Sequence, residues 1–199
     1  MYLTQGLRRA AQIRPRGQST IFEGRRRVWS ETADRVAGIA GGLKEAGVRP
    51  GDRVAILGLN SDRYFELMYA IPWLGAVMAP VNTRLAPPEI RYILEDSGAR
   101  VLFVDGAMAA NAAALAGQLP GIREMFYLDD APPSGMRPYE ELAAAPAIED
   151  AGAGGDTLAG LFYTGGTTGK SKGVMLSHNN LVWNAMNMIK GVYYDQDMT

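Results

Sequence analysis

No cysteine occurs anywhere in the chain. Disulfide frameworks, thiolate nucleophiles and thiolate metal sites are therefore excluded together. One histidine, His178, gives no basis for a histidine-ligated metal centre. Excess charge is also lacking. The net charge of -1 draws the chain toward neither nucleic acid nor an anionic membrane. Long apolar runs are absent too. The longest uncharged one, Leu67 to Val81, has 15 residues and contains Pro72 and Pro80. A bilayer-spanning helix needs about 20 apolar residues. The opening "MYLTQGLRRAAQIRPRG" has no apolar core of a secretory signal. These absences lead us to expect a soluble, cytoplasmic protein with no membrane span and no nucleic-acid partner.

What is present is a globular composition, 47% hydrophobic and 21% charged in 199 residues. Leu3, Leu7 and Ala10 fall at helical spacing. "STIFEGRRRVWS" reads as a small hairpin turning at Glu-Gly. Its Arg25–Arg27 run is expected to be a solvated turn. Ser30 is a candidate cap for a helix that buries Val36, Ile39, Ala40 and Leu43 and stops at Gly47. "VAILGL", "AVMAPV", "RVLFVD" and "REMFYL" are strand candidates. Between them lie helix candidates. One is capped at Asn60 or Ser61 and carries Tyr64, Leu67, Met68 and Ile71 up to Pro72. A second runs through "PPEIRYILEDSG", and a third is Ala-rich from Gly106.

Strand and helix alternate, and the strands are continuous apolar runs. That pattern specifies an α/β fold, a mostly parallel sheet with helices on both faces. Residues 129–155, rich in Pro and Gly, read as a linker or surface excursion. Tyr64 with Met68 and Met186 with Ile189 are read as core packing, with an acyl pocket as the competing reading.

The densest chemistry lies in "FYTGGTTGKSKGVMLSH", from Phe162 to His178. An unbroken run of Gly and Thr is followed by Lys170 and Lys172. Three readings apply. A Walker loop, G-x-x-x-x-G-K-[ST], fits Gly169-Lys170-Ser171 but finds Thr164 where Gly is required. It also needs a helix from Lys170, whereas "SKGVML" reads as loop then strand. A strand–loop–strand clamp uses Gly165, Gly166 and Gly169 to bring backbone N–H groups against an anion. Thr164, Thr167 and Thr168 add hydroxyls, and Lys172 adds a compact positive charge. The third reading is an unliganded hairpin.

"YTGGTTGKSKGVMLSH" resembles the phosphate-loop signature of the adenylate-forming enzymes, usually Y-T-S-G-T-T-G-x-P-K-G. "VRPGDRVAILGLNS", "AIPWLGAVMAPVNTRLAPPEIRYILEDSGARVLFVD" and "KGVMLSHNNL" are similar to stretches of bacterial acyl-CoA synthetases. The likeness runs from about Leu3 to Asn187. Three positions depart from the usual form. Gly165 replaces Ser and removes a hydroxyl. Ser171 replaces Pro and frees a φ angle. Ala86 replaces a capping Thr or Ser.

The resemblance implies an ATP-dependent ligase. A carboxylic acid and ATP give an acyl-adenylate and pyrophosphate, and CoA then forms the thioester with release of AMP. ATP, Mg²⁺ and CoA are the implied cofactors. The resemblance assigns Thr164, Gly165, Gly166, Thr167, Thr168, Gly169 and Lys172 to the phosphates, with Thr164 on the Mg²⁺ side. Lys170 falls at the variable position and is expected in solvent. His178 is read as structural, at a helix start. The adenine and ribose motifs, the metal glutamate and the adenylation lysine of the family do not occur in 1–199. The expectation is thus an inactive N-terminal fragment, a partial N-terminal domain without its C-terminal domain and without catalytic residues. Homodimerisation through an incomplete sheet is expected. The alternatives are a P-loop NTPase and a truncated, non-enzymatic interaction protein of the same family.

Overall fold

A computed structural model describes residues 1–115, 117–165 and 170–192, without the side chains of 190–192. The chain opens with helix α1 (Thr4–Ile13) and a hairpin of strands β1 (Gln18–Phe22) and β2 (Arg25–Val28). Glu23 and Gly24 turn the hairpin with φ of 47° and 81°. Two successive positive φ values match the right-handed twist of the paired strands.

Helix α2 (Trp29–Glu45) follows directly. Its cap differs from the expectation. Glu31 accepts from the Val28 N–H at 3.0 Å, while the Ser30 hydroxyl donates to the Pro15 carbonyl. Val36, Ile39, Ala40 and Leu43 are fully buried, and Gly47 ends the helix at φ 86°.

Next come β3 (Arg53–Leu57), α3 (Asp62–Trp73), β4 (Val77–Pro80), α4 (Pro87–Ser97), β5 (Val101–Val104), α5 (Ala109–Ala114) and β6 (Glu124–Tyr127). The Ser61 hydroxyl caps α3 by accepting from the Tyr64 N–H. Pro72 is the penultimate residue of α3, and Gly75 at φ 78° ends the helix, the Ala76 N–H donating back to the Ile71 carbonyl at 3.0 Å. At α4 the Ala86 side chain offers no cap, and Glu89 accepts from the Ala86 N–H at 2.9 Å instead. β7 (Arg137–Pro138) and α6 (Tyr139–Ala143) precede β8 (Leu158–Thr164), β9 (Lys172–Ser177) and α7 (His178–Val192).

Seven strands form one sheet in the order β7-β6-β5-β3-β4-β8-β9. All neighbours are parallel except β8 and β9. The apolar runs divide between two cores. Val54 and Ile56 of β3 face α1, α2, α3 and α6, while Ala55 and Leu57 face α4 and α5. The central strands β3, β4 and β5 bury both faces, so alternation is invisible in their sequence.

Residues 129–155 carry β7 and α6, with Tyr139 only 1% exposed. The following segment crosses α2 at its glycines. A Cβ on Gly42 would lie 2.6 Å from the Leu142 Cα. Trp73 Nε1 donates to the Ile148 carbonyl, and the Ala151 N–H donates to the Trp73 carbonyl, both at 2.9 Å.

The Arg25–Arg27 run corrects another expectation. Arg25 makes two 3.0 Å hydrogen bonds to Asp62, and Arg27 lies 3.0 Å from Glu66. Asp62 and Glu66, one helical turn apart on α3, are 2% and 1% exposed. Arg35 clamps Glu66 at 2.7 and 3.0 Å and reaches Glu140 at 2.8 Å. The Tyr139 hydroxyl donates to Glu66 at 2.9 Å. Buried carboxylates need such partners, because desolvating an unpaired charge costs several kcal/mol. Burial raises the Asp62 carboxyl, but the Arg25 bonds and the charges of Arg25 and Arg27 outweigh it and hold it below the ordinary value.

Candidate functional site

The connection leaving β3 runs through α3 on one face of the sheet. The one leaving β4 runs through α4 on the other. In open α/β sheets such an opposition puts the usual ligand position outside the carboxyl ends of the strands. β8 lies beside β4 and runs parallel to it, so its carboxyl end emerges at the same edge. Asp105 shapes this edge by accepting from the N–H groups of Leu59 (2.6 Å) and Met108 (3.0 Å).

Thr164 ends β8 and Lys172 begins β9. They are direct register partners in the antiparallel pair. Such partners have Cα atoms about 4.5–5.5 Å apart. Both are exposed, and no carboxylate pairs with Lys172 among the described residues. Gly165 follows in the open, and a Cβ there would meet nothing within 4 Å. Gly166, Thr167, Thr168 and Gly169 lie outside the described residues. The chain enters a strand at Lys172, where a Walker loop would continue into a helix from its lysine.

Lys170 is exposed, yet it is not simply in solvent. Its ammonium lies over the Tyr92 ring, 5.0 Å from the centroid. Tyr163, the residue before Thr164, donates from its hydroxyl to Asp96 Oδ2 at 2.7 Å. Burial, then the Asp96 hydrogen bond and charge, push the Tyr163 phenol far above its usual range. Tyr92 and Asp96 were missed in the sequence. Their one available signal was their i,i+4 spacing on α4, which puts both on one helix face.

His178 opens α7 and is 1% exposed. Its Nδ1 accepts from the Leu3 N–H at 3.3 Å, and its backbone N–H donates to the Thr157 carbonyl. Burial lowers its basicity against a smaller opposing effect of Asp150. Its contacts are structural.

The pairing of Met186 with Ile189 as core is overturned. They are 43% and 56% exposed, and Trp183 and Met188 are exposed beside them. Met186 and Ile189 line a groove of about 1020 Å³ shared with α1 and α3, including Phe65 and Met68.

No group of three or more His, Cys, Asp or Glu is gathered for a metal among the described residues. No helix among them is long and apolar enough to cross a membrane.

The mostly parallel sheet with helices on both faces defines the class as α/β. The family model described as AMP-binding enzyme matches residues 7–198. The chain belongs to that family. Over 184 residues it is 40% identical to a feruloyl-CoA synthase of Amycolatopsis sp, covering 91% of this chain and 34% of that protein. A long-chain-fatty-acid–CoA ligase of Thermus thermophilus is 37% identical over 161 residues, 81% of this chain and 30% of that protein. The chain thus spans about a third of the curated relatives it matches. Among solved structures, the anthranilate CoA ligase AuaEII in complex with anthranoyl-AMP superposes with a TM-score of 0.88. It is 27% identical, over 94% of this chain and 36% of that one. The inhibitor-bound N-terminal domain of FACL13 from Mycobacterium tuberculosis gives 0.79 at 33% identity, over 89% of this chain and 44% of that one. The fold is that of the N-terminal domain of adenylate-forming enzymes.

Proposed function

We propose that this chain is the phosphate-holding part of the N-terminal domain of an AMP-forming acid–CoA ligase. The observation that carries the reading is the register pairing of Thr164 with Lys172 at the carboxyl edge of the sheet. It sets a hydroxyl and an ammonium across the mouth of one Gly/Thr loop. In this reading the loop N–H groups and hydroxyls of Thr164, Gly165, Gly166, Thr167, Thr168 and Gly169 cradle the β- and γ-phosphates of ATP. Lys172 neutralises charge that grows on the departing pyrophosphate when a carboxylate attacks the α-phosphorus. CoA is the acceptor of the acyl group in the second half-reaction.

Among the described residues the site offers a hydroxyl, Thr164, and no acidic cluster. Mg²⁺ held largely by phosphate oxygens fits that donor set, and it supplies further charge neutralisation when bound. The relatives are named for feruloyl-CoA and for long-chain fatty acids, so the substrate is taken only as far as a carboxylic acid. The exposed apolar face of β9 and α7 is, in this reading, the surface on which later parts of the same ligase pack.

ATP–pyrophosphate exchange in the full-length ligase tests the assignment. Lys172→Ala should abolish most of the exchange, and Lys170→Ala should act far less. The reverse ranking would sink it. The 199-residue chain alone should show no exchange.

A further inference from the structure

Helix α4 holds the β8–β9 connection at both of its described ends. At the β8 end, Tyr163 donates to Asp96 Oδ2 at 2.7 Å. At the β9 end, the Lys170 ammonium rests 5.0 Å above the Tyr92 ring. The two α4 residues are themselves joined, the Tyr92 hydroxyl donating to Asp96 Oδ1 at 3.4 Å. Opposite Tyr163 in register stands Gly173, where a Cβ would lie 3.1 Å from the ring. The Tyr163 ring is thus laid across β9 and tied to α4 by its hydroxyl.

We infer that Tyr92 and Asp96 are positioning residues for the phosphate loop, setting where Thr164 and Lys172 stand through Tyr163 and Lys170. The inference rests on the reading of that loop as a phosphate site. The geometry explains how the effect is transmitted. Side chains alternate along a strand, so fixing Tyr163 toward α4 directs Thr164 to the other face. Lys170 is two residues before Lys172, so parking its ammonium on Tyr92 limits where β9 begins. The raised Tyr163 phenol keeps its donor proton at neutral pH, and the Asp96 bond persists there. Lys170 then serves by holding the loop, and Lys172 remains the cation for phosphate.

Two measurements test this. Trypsin cleaves after Lys170 only when that side chain leaves the Tyr92 ring. In the 199-residue chain, Tyr92→Leu should speed this cleavage about two- to fivefold relative to cleavage after exposed Arg16, the size expected for an exposed cation–π contact. Tyr92→Phe, which keeps the ring, should cleave like the parent chain. Asp96→Asn and Tyr163→Phe should speed it about two- to tenfold.

In the full-length ligase, Tyr92→Leu should raise KM for ATP by a similar factor with little change in kcat, and Tyr92→Phe should restore it. Unchanged cleavage in Tyr92→Leu overturns the inference. So does faster cleavage with an unchanged KM for ATP. If Lys172→Ala leaves exchange intact, it is the phosphate-site reading that fails. The cleavage rates then still report whether α4 holds the loop.

Discussion

The backbone N–H of Leu3 donates to Nδ1 of His178, 175 residues later in the chain, at 3.3 Å. The start of the first helix and the helix after β9 therefore share one buried histidine. The Met1 carbonyl accepts from the Gly155 N–H beside it, and Gly154 packs on Tyr2. Nδ1 accepts only when unprotonated, so this junction is tied to the neutral imidazole.

Stability should therefore fall in two steps on acidification. Burial depresses the folded basicity of His178, with Asp150 opposing and the chain's amino group assisting. The unfolded state then takes up a proton first, and stability drops as pH falls below about 6.5. A second loss begins below about pH 4, where Asp62 and Glu140 are protonated in the unfolded chain but held ionised in the fold by arginines. Urea denaturation from pH 8 to 3 should resolve both, and His178→Gln should remove the first step alone.

Glu66→Ala should be the most damaging substitution in the ion network. It leaves Arg27, Arg35 and the Tyr139 hydroxyl facing a missing acceptor. Breaking a buried pair in this way costs about 3–5 kcal/mol. Glu95→Ala, which removes an exposed partner of Arg91, should cost at most about 1 kcal/mol. A chemical melt comparing the two variants checks the ranking, and equal losses would contradict the burial argument.

Gly42→Ala should destabilise, although alanine favours helices. Its methyl would press on the Leu142 backbone and side chain, at 2.6 and 2.8 Å. Overpacking of this kind costs about 1–3 kcal/mol. Gly6→Ala in α1 meets nothing within 4 Å and should be neutral or stabilising, by up to about 1 kcal/mol. Thermal melts of both variants give the comparison.

The apolar face of α7 should make the isolated chain self-associate. Trp183, Met186, Met188 and Ile189 are all more than two-fifths exposed. Trp183→Glu with Ile189→Glu should shift sedimentation toward the monomer. The full-length ligase should bury this face and bind less of a hydrophobic dye. Monomeric behaviour of the unaltered chain would contradict the first expectation.

On the proposed reading of the β8–β9 loop as a phosphate site, removal of a single preorganised charge-stabilising group costs about 10²–10³ in rate. Lys172→Ala should lose that much exchange. Lys170→Ala should lose only the few-fold penalty of a released loop. Single-turnover adenylation by the full-length variants measures both.

Much of the fold was legible because its signals are local. Glu23-Gly24, Gly47, Pro87 and Gly98 punctuate the chain by backbone sterics that need no tertiary context. The Gly/Thr run with Lys172 is contiguous, so its reading as a phosphate site was drawn without tertiary context. Arg25 and Arg27 were misread as solvated because their partners lie on α3, more than thirty residues away, whereas Arg26 is exposed as expected. Ser30 was misread as a cap because α2 already starts at Trp29, with Glu31 accepting from the Val28 N–H and the Ser30 hydroxyl donating to the Pro15 carbonyl.

The sequence alone determined the alternation of strands and helices, the buried faces of α2 and α3, and the chemical identity of the loop. Periodicity, turn sterics and donor type are properties of neighbouring residues. Tertiary structure alone decided which residues meet. It brought Asp96 to Tyr163, Tyr92 to Lys170, Glu66 to Arg35 and Leu3 to His178. The Glu66–Arg35 and Leu3–His178 pairings satisfy polar groups that burial left without water, while the two on α4 engage the exposed Asp96 and Lys170. The need arises only once distant segments close on one another, and no local pattern records it.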